Sequence, residues 1–288
     1  ITSAIVDLSD NAPNQALPDA NPNALHAYQQ RYLDLFDSTA LSGLNVGVYQ
    51  HSSVARDLLP EILQALGARV VCIERTDHFV PIDTEAVSQE DALKALAWSA
   101  EYDLDAIVTT DGDADRPLIA DETGTWLRGD IVGLLTARFL GAQTLVTPIS
   151  CNTALELSGY FTDVIRTRIG SPYVIAAMEA LAADRFPVAG FEANGGFMAG
   201  EGLHVHDQVI EALLTRDAVL PILCLLVMAA QADGHLSQLT QGLPARYTFS
   251  DRLQDIPNTF TRHLLETLSQ TPEKLALSEF NLGVITSV

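Results

Sequence analysis

Leu104-Asp105-Ala106-Ile107-Val108-Thr109-Thr110-Asp111-Gly112-Asp113-Ala114-Asp115-Arg116 holds an apolar run, an Asp-Gly turn, and three carboxylates at alternate positions. The run 104–108 reads as a buried strand, and the Asp-Gly pair ends it. A strand that leaves a sheet into a tight loop can aim Asp111, Asp113 and Asp115 at one centre. Carboxylates so close repel one another unless a cation joins them, and hard oxygen donors favour Mg²⁺ or Ca²⁺ over softer metals. A solvated acidic turn would give the same composition. A calcium EF-hand would place Glu122 at its twelfth position, but Arg116 stands at the sixth, where that loop needs Gly. The flanks read as a strand and an Asp121-Glu122-Thr123-Gly124 turn, not as two helices, so the EF-hand is rejected. Arg116 favours a functional loop, because a metal beside an arginine is the equipment for holding a phosphoryl group.

Outward from this loop, the strand is the third of a βαβαβ series. Residues 44–49 read as a strand, 50–53 as a turn, and 54–66 as a helix closed by Gly67. Residues 68–73 form the next strand, and Ser88 caps a helix that runs to Tyr102. The pattern then restarts: helix 129–139, strand 144–149, helix 152–160, strand 164–167, helix 173–183, strand 188–192, and a long apolar helix over 214–231. A helix over 23–36 and a linker over 9–24 precede both series. The expected fold class is α/β: two consecutive βαβ-type domains of about 100 residues, with mixed or parallel sheets and helices on both faces. Any repeat between them is architectural, since no sequence identity is apparent.

The chain has 288 residues, 48% of them hydrophobic, and a formal net charge of −21. No basic cluster offsets that charge, which argues against nucleic acid and anionic membranes as partners. The longest apolar run, residues 218–230, contains Pro221 and is too short to span a bilayer. The opening Ile1-Thr2-Ser3-Ala4-Ile5-Val6-Asp7 carries no basic leader. Cys72, Cys151 and Cys224 are odd in number and lie in or beside apolar stretches, as reduced core thiols of a cytoplasmic protein would. The absence of an initial Met and the strand-like run 280–288 at the other end lead us to expect a piece of a longer protein.

With these elements placed, the chain resembles the α-D-phosphohexomutases, the family of phosphomannomutases and phosphoglucomutases. Three motifs carry the resemblance, in order. Asp111-Gly112-Asp113-Ala114-Asp115-Arg116 matches the family's metal loop. Thr167-Arg168-Ile169-Gly170 resembles its Thr-Lys-x-Gly segment. Gly190-Phe191-Glu192-Ala193-Asn194-Gly195-Gly196 resembles its Glu-x-Ser-Gly sugar-binding loop. The resemblance implies four domains around one cleft in the complete enzyme. Of these, residues 1–40 would be linker and helix from the first, 41–126 the second with the metal loop, 127–242 the third with the sugar-binding loop, and 243–288 a linker and the start of a truncated fourth. The family's phosphoserine loop (Thr-Ala-Ser-His-Asn-Pro) and its phosphate-binding loop (Arg-x-Ser-Gly-Thr) have no match here, so the chain alone is expected to be inactive.

The resemblance further implies an intramolecular phosphotransferase of carbohydrate metabolism. A Mg²⁺-bound phosphoserine would exchange its phosphoryl group with a hexose phosphate through a bisphosphate that turns around. Asp111, Asp113 and Asp115 would hold the metal, and Arg116 would stabilise the group in transfer. Glu192 and Asn194 would hydrogen-bond sugar hydroxyls, while Gly195 and Gly196 let the backbone approach the ring. Arg168 stands where relatives carry Lys. Permanently charged, it is a poor general base, so its expected role is electrostatic. Gly196 stands where some relatives carry His, which leaves the general acid/base unassigned. Mannose phosphate is placed ahead of glucose phosphate. The alternatives are a glucose-specific phosphoglucomutase and a non-catalytic sugar-phosphate or metal-binding module. A phosphatase with an Asp nucleophile lacks its usual later Lys and acidic pair. Ser52 and Ser53 read as helix caps rather than a phosphorylated serine, and His204-Val205-His206-Asp207 reads as a polar surface stretch. The oligomeric state stays open.

Overall fold

A computed structural model describes residues 21–251 and 256–270. Helix α1 (Pro22–Leu33) is opened by Asn21, whose side chain accepts the Asn23 N–H. Strand β1 (Asn45–His51), helix α2 (Leu58–Ala65), strand β2 (Arg69–Arg75), helix α3 (Gln89–Tyr102), strand β3 (Ala106–Thr110) and strand β4 (Pro117–Ala120) follow. They form a sheet in the order β2-β1-β3-β4, its first three strands parallel and β4 folded back antiparallel onto β3. Ser88 caps α3 by accepting the Asp91 N–H.

The second half contains α4 (Gly129–Phe139), β5 (Thr144–Pro148), α5 (Ala154–Leu157), β6 (Asp163–Thr167), α6 (Ser171–Glu179), β7 (Val188–Phe191) and β8 (Phe197–Ala199). A small hairpin of β9 (His204–Val205) and β10 (Gln208–Val209) precedes β11 (Leu213–Asp217), α7 (Val219–Gln231) and α8 (Asn258–Gln270). The second sheet runs β11-β8-β7-β5-β6, with β6, β5 and β7 parallel and β8 antiparallel. Both sheets therefore place their second strand beside their first, then their third, then an antiparallel fourth. Strands β3 and β7 are equivalent in this scheme, and each is followed by one of the two loops singled out above.

Helices cover both faces of each sheet, and residue alternation explains how. Ala106 and Val108 of β3 face one core together with Leu59 and Ile62 of α2. Ile107 faces the opposite core with Ala95 and Trp98 of α3. In the second sheet Leu145 faces α4 and α7, while Val146 faces Val174 and Met178 of α6. Buried on both sides, these strands are apolar at their centres, as parallel strands are, and carry buried threonines toward their ends. The larger core is continuous across both halves, joining Val46 and Val48 to Phe191 and Phe197 through the apolar faces of α4 and α7.

The structure corrects several sequence expectations. The apolar stretch 214–231 is not one helix, because Leu213–Asp217 pair with β8 before α7 begins. The helix expected over 54–66 starts only at Leu58, and that over 152–160 shortens to a single turn. Cys72 is exposed on the edge strand β2, whereas Cys151 and Cys224 are buried. The expected linker lies outside the described residues up to residue 20, as does the strand-like run 280–288. No helix among the described residues is long and apolar enough to cross a membrane.

His51, fully buried at the end of β1, ties that strand to the end of β3. Its Nε2 lies 2.9 Å from the Thr110 carbonyl, which can only accept, so Nε2 carries the proton. Nδ1 has no hydrogen-bond partner. Burial lowers the pKa of this ring from its ordinary 6.5. Below about pH 6.5 the unfolded chain takes up a proton that the folded chain resists, so stability falls as pH drops toward the lowered pKa. Urea midpoints should decline from about pH 7.5 to about pH 5.5, and His51→Gln should flatten that decline. Equal slopes in the two chains would rule out His51 as its source.

Candidate functional site

The carboxylate loop is built by its own backbone. The Asp111 N–H donates to the Arg116 carbonyl across 3.1 Å, closing the loop at the end of β3. Ala114 bends it with a φ of 62°, a left-handed conformation uncommon outside glycine. The Asp111 side chain then fixes the interior, its Oδ1 accepting the N–H groups of Asp115 at 3.2 Å and Arg116 at 3.1 Å. Its Oδ2 accepts the Arg116 Nε–H at 2.6 Å. Burial pushes the Asp111 carboxyl above its ordinary range, and the Arg116 guanidinium opposes that.

Asp111 is buried, Asp115 half-buried and Asp113 exposed, and one ligand oxygen from each lies within 4.8 Å of the others. Asp115 Oδ1 is a buried atom without a hydrogen bond, although Arg116 Nε stands 3.5 Å away. Converging hard oxygens with one buried oxygen unsatisfied fit a divalent cation, and among the described residues this is the one such group.

The Glu192 loop forms at the end of β7. Glu192 N–H donates to the Gly196 carbonyl and Gly195 N–H to the Glu192 carbonyl, making a tight turn in which Gly195 has a φ of 90°. Asn194 Oδ1 accepts the Gly196 N–H at 3.0 Å, which leaves the amide nitrogen as the group it can offer to a ligand. Thr84 of the first half donates its hydroxyl to the Asn194 carbonyl at 2.8 Å. Pro117, directly after the carboxylate loop, lies against Gly195. The two loops are neighbours.

Arg216, which the sequence reading missed, joins them. Its Nη2 lies 2.5 Å from Asp115 Oδ2 and its Nη1 3.4 Å from Glu192 Oε2. It stands near the end of β11, the strand that had been hidden in the apolar stretch. A single arginine between Leu213-Leu214 and Ala218 was the available signal. Arg168, by contrast, is not brought into this cluster. It follows the edge strand β6, exposed, with its guanidinium 5.9 Å from the centre of the Tyr173 ring.

Ser53 Oγ accepts the Ala55 N–H at 3.0 Å, a local turn contact, and Ser52 Oγ accepts the Val80 N–H at 2.8 Å. His204 and His206 belong to the small hairpin, His204 exposed beside Gly141.

Two α/β units whose equivalent strands end in adjoining acidic loops, at the carboxyl ends where such sheets hold ligands, define a tandem α/β/α architecture. Family models for phosphoglucomutase/phosphomannomutase match it, the alpha/beta/alpha domain II over residues 25–124 and the alpha/beta/alpha domain III over residues 128–247. The chain belongs to this family, the α-D-phosphohexomutases, and holds its central domains. It is 49% identical over 251 residues to a phosphomannomutase of Salmonella muenchen, an alignment covering 87% of this chain and 52% of that protein. A phosphomannomutase of Sinorhizobium fredii is 47% identical over 240 residues, with 83% and 50% covered. A phosphoglucomutase/phosphomannomutase family protein of Burkholderia thailandensis shares the fold at a TM-score of 0.61 and 18% identity, over 76% of this chain and 46% of that one. The chain thus spans about half the length of the curated relatives it matches.

Proposed function

We propose that this chain is the metal- and sugar-binding centre of a phosphohexomutase that interconverts hexose 1-phosphate and hexose 6-phosphate, with mannose phosphate preferred. The observation that carries the reading is the ion-pair bridge from Asp115 through Arg216 to Glu192, which joins the carboxylate loop to the Glu192 loop. Residues 41–126 would be the metal-loop domain and 127–242 the sugar-loop domain. Residues 1–40 and 243–288 would lead to the first and fourth domains, which supply the phosphoserine and a further phosphate loop. The two phosphomannomutase relatives support the choice of sugar. The free thiols support a cytoplasmic setting.

Asp111, Asp113 and Asp115 would hold Mg²⁺, which when bound neutralises charge on the phosphoryl group. Arg116 is oriented by Asp111 so that its guanidinium is fixed in the same loop, where it can bind the phosphoryl oxygens as their charge grows. Glu192 accepts from one sugar hydroxyl, and the Asn194 amide donates to its neighbour. Gly195 and Gly196 let the turn pack closely against Pro117 and Arg216, and this tight turn would present the Glu192 and Asn194 side chains to the sugar. Arg168, further along the same sheet edge, would meet the distal phosphate of the substrate. Strand β6 lies two places from β7 with β5 between them, and a separation of that kind suits a ligand with charge at both ends.

Calorimetric titration of mannose 1-phosphate into the chain, with Mg²⁺ present, tests this. Binding is expected, weakened on the order of tenfold by Glu192→Gln, with no interconversion of hexose phosphates by the chain alone. Turnover by residues 1–288 alone, or binding indifferent to Glu192→Gln, would overturn the proposal.

A further inference from the structure

Arg216 owes its place to a missing side chain. A Cβ on Gly196 would lie 2.7 Å from Arg216 Cδ and 3.0 Å from Cγ, so the arginine stem fills the space that a residue at 196 would otherwise take. Its guanidinium thereby reaches both loops, contacting an Asp115 oxygen and a Glu192 oxygen together. Three acidic groups of one loop and a buried glutamate of the other meet here, and Arg116 is already committed to Asp111. Arg216 is the cation that balances the side of the cleft where the two loops meet.

The same Asp115 carboxylate is wanted by the metal. A divalent ion shared by Asp111, Asp113 and Asp115 would take the unpaired Asp115 Oδ1 while Arg216 holds Oδ2, and the two cations would repel each other across one carboxylate. We infer that Arg216 is a displaceable stand-in cation: it holds Asp115 in the metal-free cleft, yields it when a divalent ion enters, and swings its freed donors toward the phosphate of a sugar seated on Glu192. Metal occupancy and sugar-phosphate affinity are thereby coupled through one side chain, a reciprocal linkage. Arg216 is a positioning residue in this scheme. The inference rests on the carboxylate loop being a cation site and deepens that reading of the cleft.

Mn²⁺ binding to the 288-residue chain, followed by electron paramagnetic resonance, reads the competition without any turnover. Arg216→Gln is expected to bind Mn²⁺ on the order of tenfold more tightly than the parent chain. Gly196→Ala keeps the guanidinium and the net charge but pushes the stem aside, so it should move affinity in the same direction. Mannose 1-phosphate should bind the parent chain more tightly when Mn²⁺ is present, and this enhancement should vanish in Arg216→Gln. An arginine that merely braces the loop would give weaker or unchanged Mn²⁺ binding on its removal, which overturns the inference. A Gly196→Ala chain identical to the parent would also overturn it, since a general field effect would then suffice. Failure of every chain to bind Mn²⁺ would instead remove the metal site itself and both proposals with it.

Discussion

Asp111→Ala is expected to lose divalent-cation binding by about 100-fold or more and to lose stability as well, whereas Asp113→Ala should lose binding alone. The difference follows from burial. Asp113 is exposed, so its removal takes away one ligand oxygen. Asp111 is buried at the strand end and holds two backbone N–H groups and the Arg116 Nε–H. Taking it away leaves a guanidinium and two amides without their acceptor, at about 1–3 kcal/mol for each buried group left unpaired. Ligand loss should exceed the roughly 10- to 100-fold typical of groups that only orient a ligand. Mn²⁺ titration beside urea unfolding separates the two effects. Equal stability of the two variants would mean that the loop is held by something other than the Asp111 side chain.

The second large effect lies away from the loops. Asp217 is buried at the end of β11 and accepts hydrogen bonds from Tyr32 Oη at 2.6 Å, Tyr28 Oη at 3.0 Å and the Val219 N–H at 2.9 Å. Burial pushes its carboxyl up, and the hydroxyl groups of both tyrosines and the amide hold it down. This residue docks α1 onto the second sheet and starts α7. Asp217→Ala strands two phenol hydroxyls and a helix amide, and should cost about 4 kcal/mol. Against a typical total of about 5–15 kcal/mol, that is a large share. Asp217→Asn retains one acceptor and should cost less. Adding Tyr32→Phe to Asp217→Ala should recover part of the loss, because the buried hydroxyl disappears with its partner. Chemical unfolding of the parent, the three variants and Tyr32→Phe alone checks this, and additive losses would show that the hydrogen bonds are energetically independent.

The long-range plan was legible because it depends on periodicity. Gly129–Phe139 was expected and found as a helix, and the Ser88 cap was read from one residue. The strand before the carboxylates was visible because its centre, Ala106-Ile107-Val108, is buried on both faces and apolar, although the strand runs on through Thr109 and Thr110. The short antiparallel strands were not. Phe197–Ala199 is too short to show alternation, and Leu213–Asp217 continues without a break into an apolar helix. Their pairing is decided by neighbours far away in sequence. Arg216 went unseen for the same reason. Its position comes from the pairing of β11 beside β8, which no local pattern encodes. Arg168 illustrates the converse: its motif was noticed, yet the edge position of β6 holds it outside the ion-pair cluster.

One hydrophobic core joins Val46 and Val48 to Phe191 and Phe197, so apolar packing binds the two halves where they meet. They should melt as one unit, and the gap between the carboxylate loop and the Glu192 loop is a fixed gauge rather than a jaw. A ligand lodged between the two loops would meet a span set by this shared packing, and would be accommodated by movement of side chains such as Arg216 rather than of the sheets.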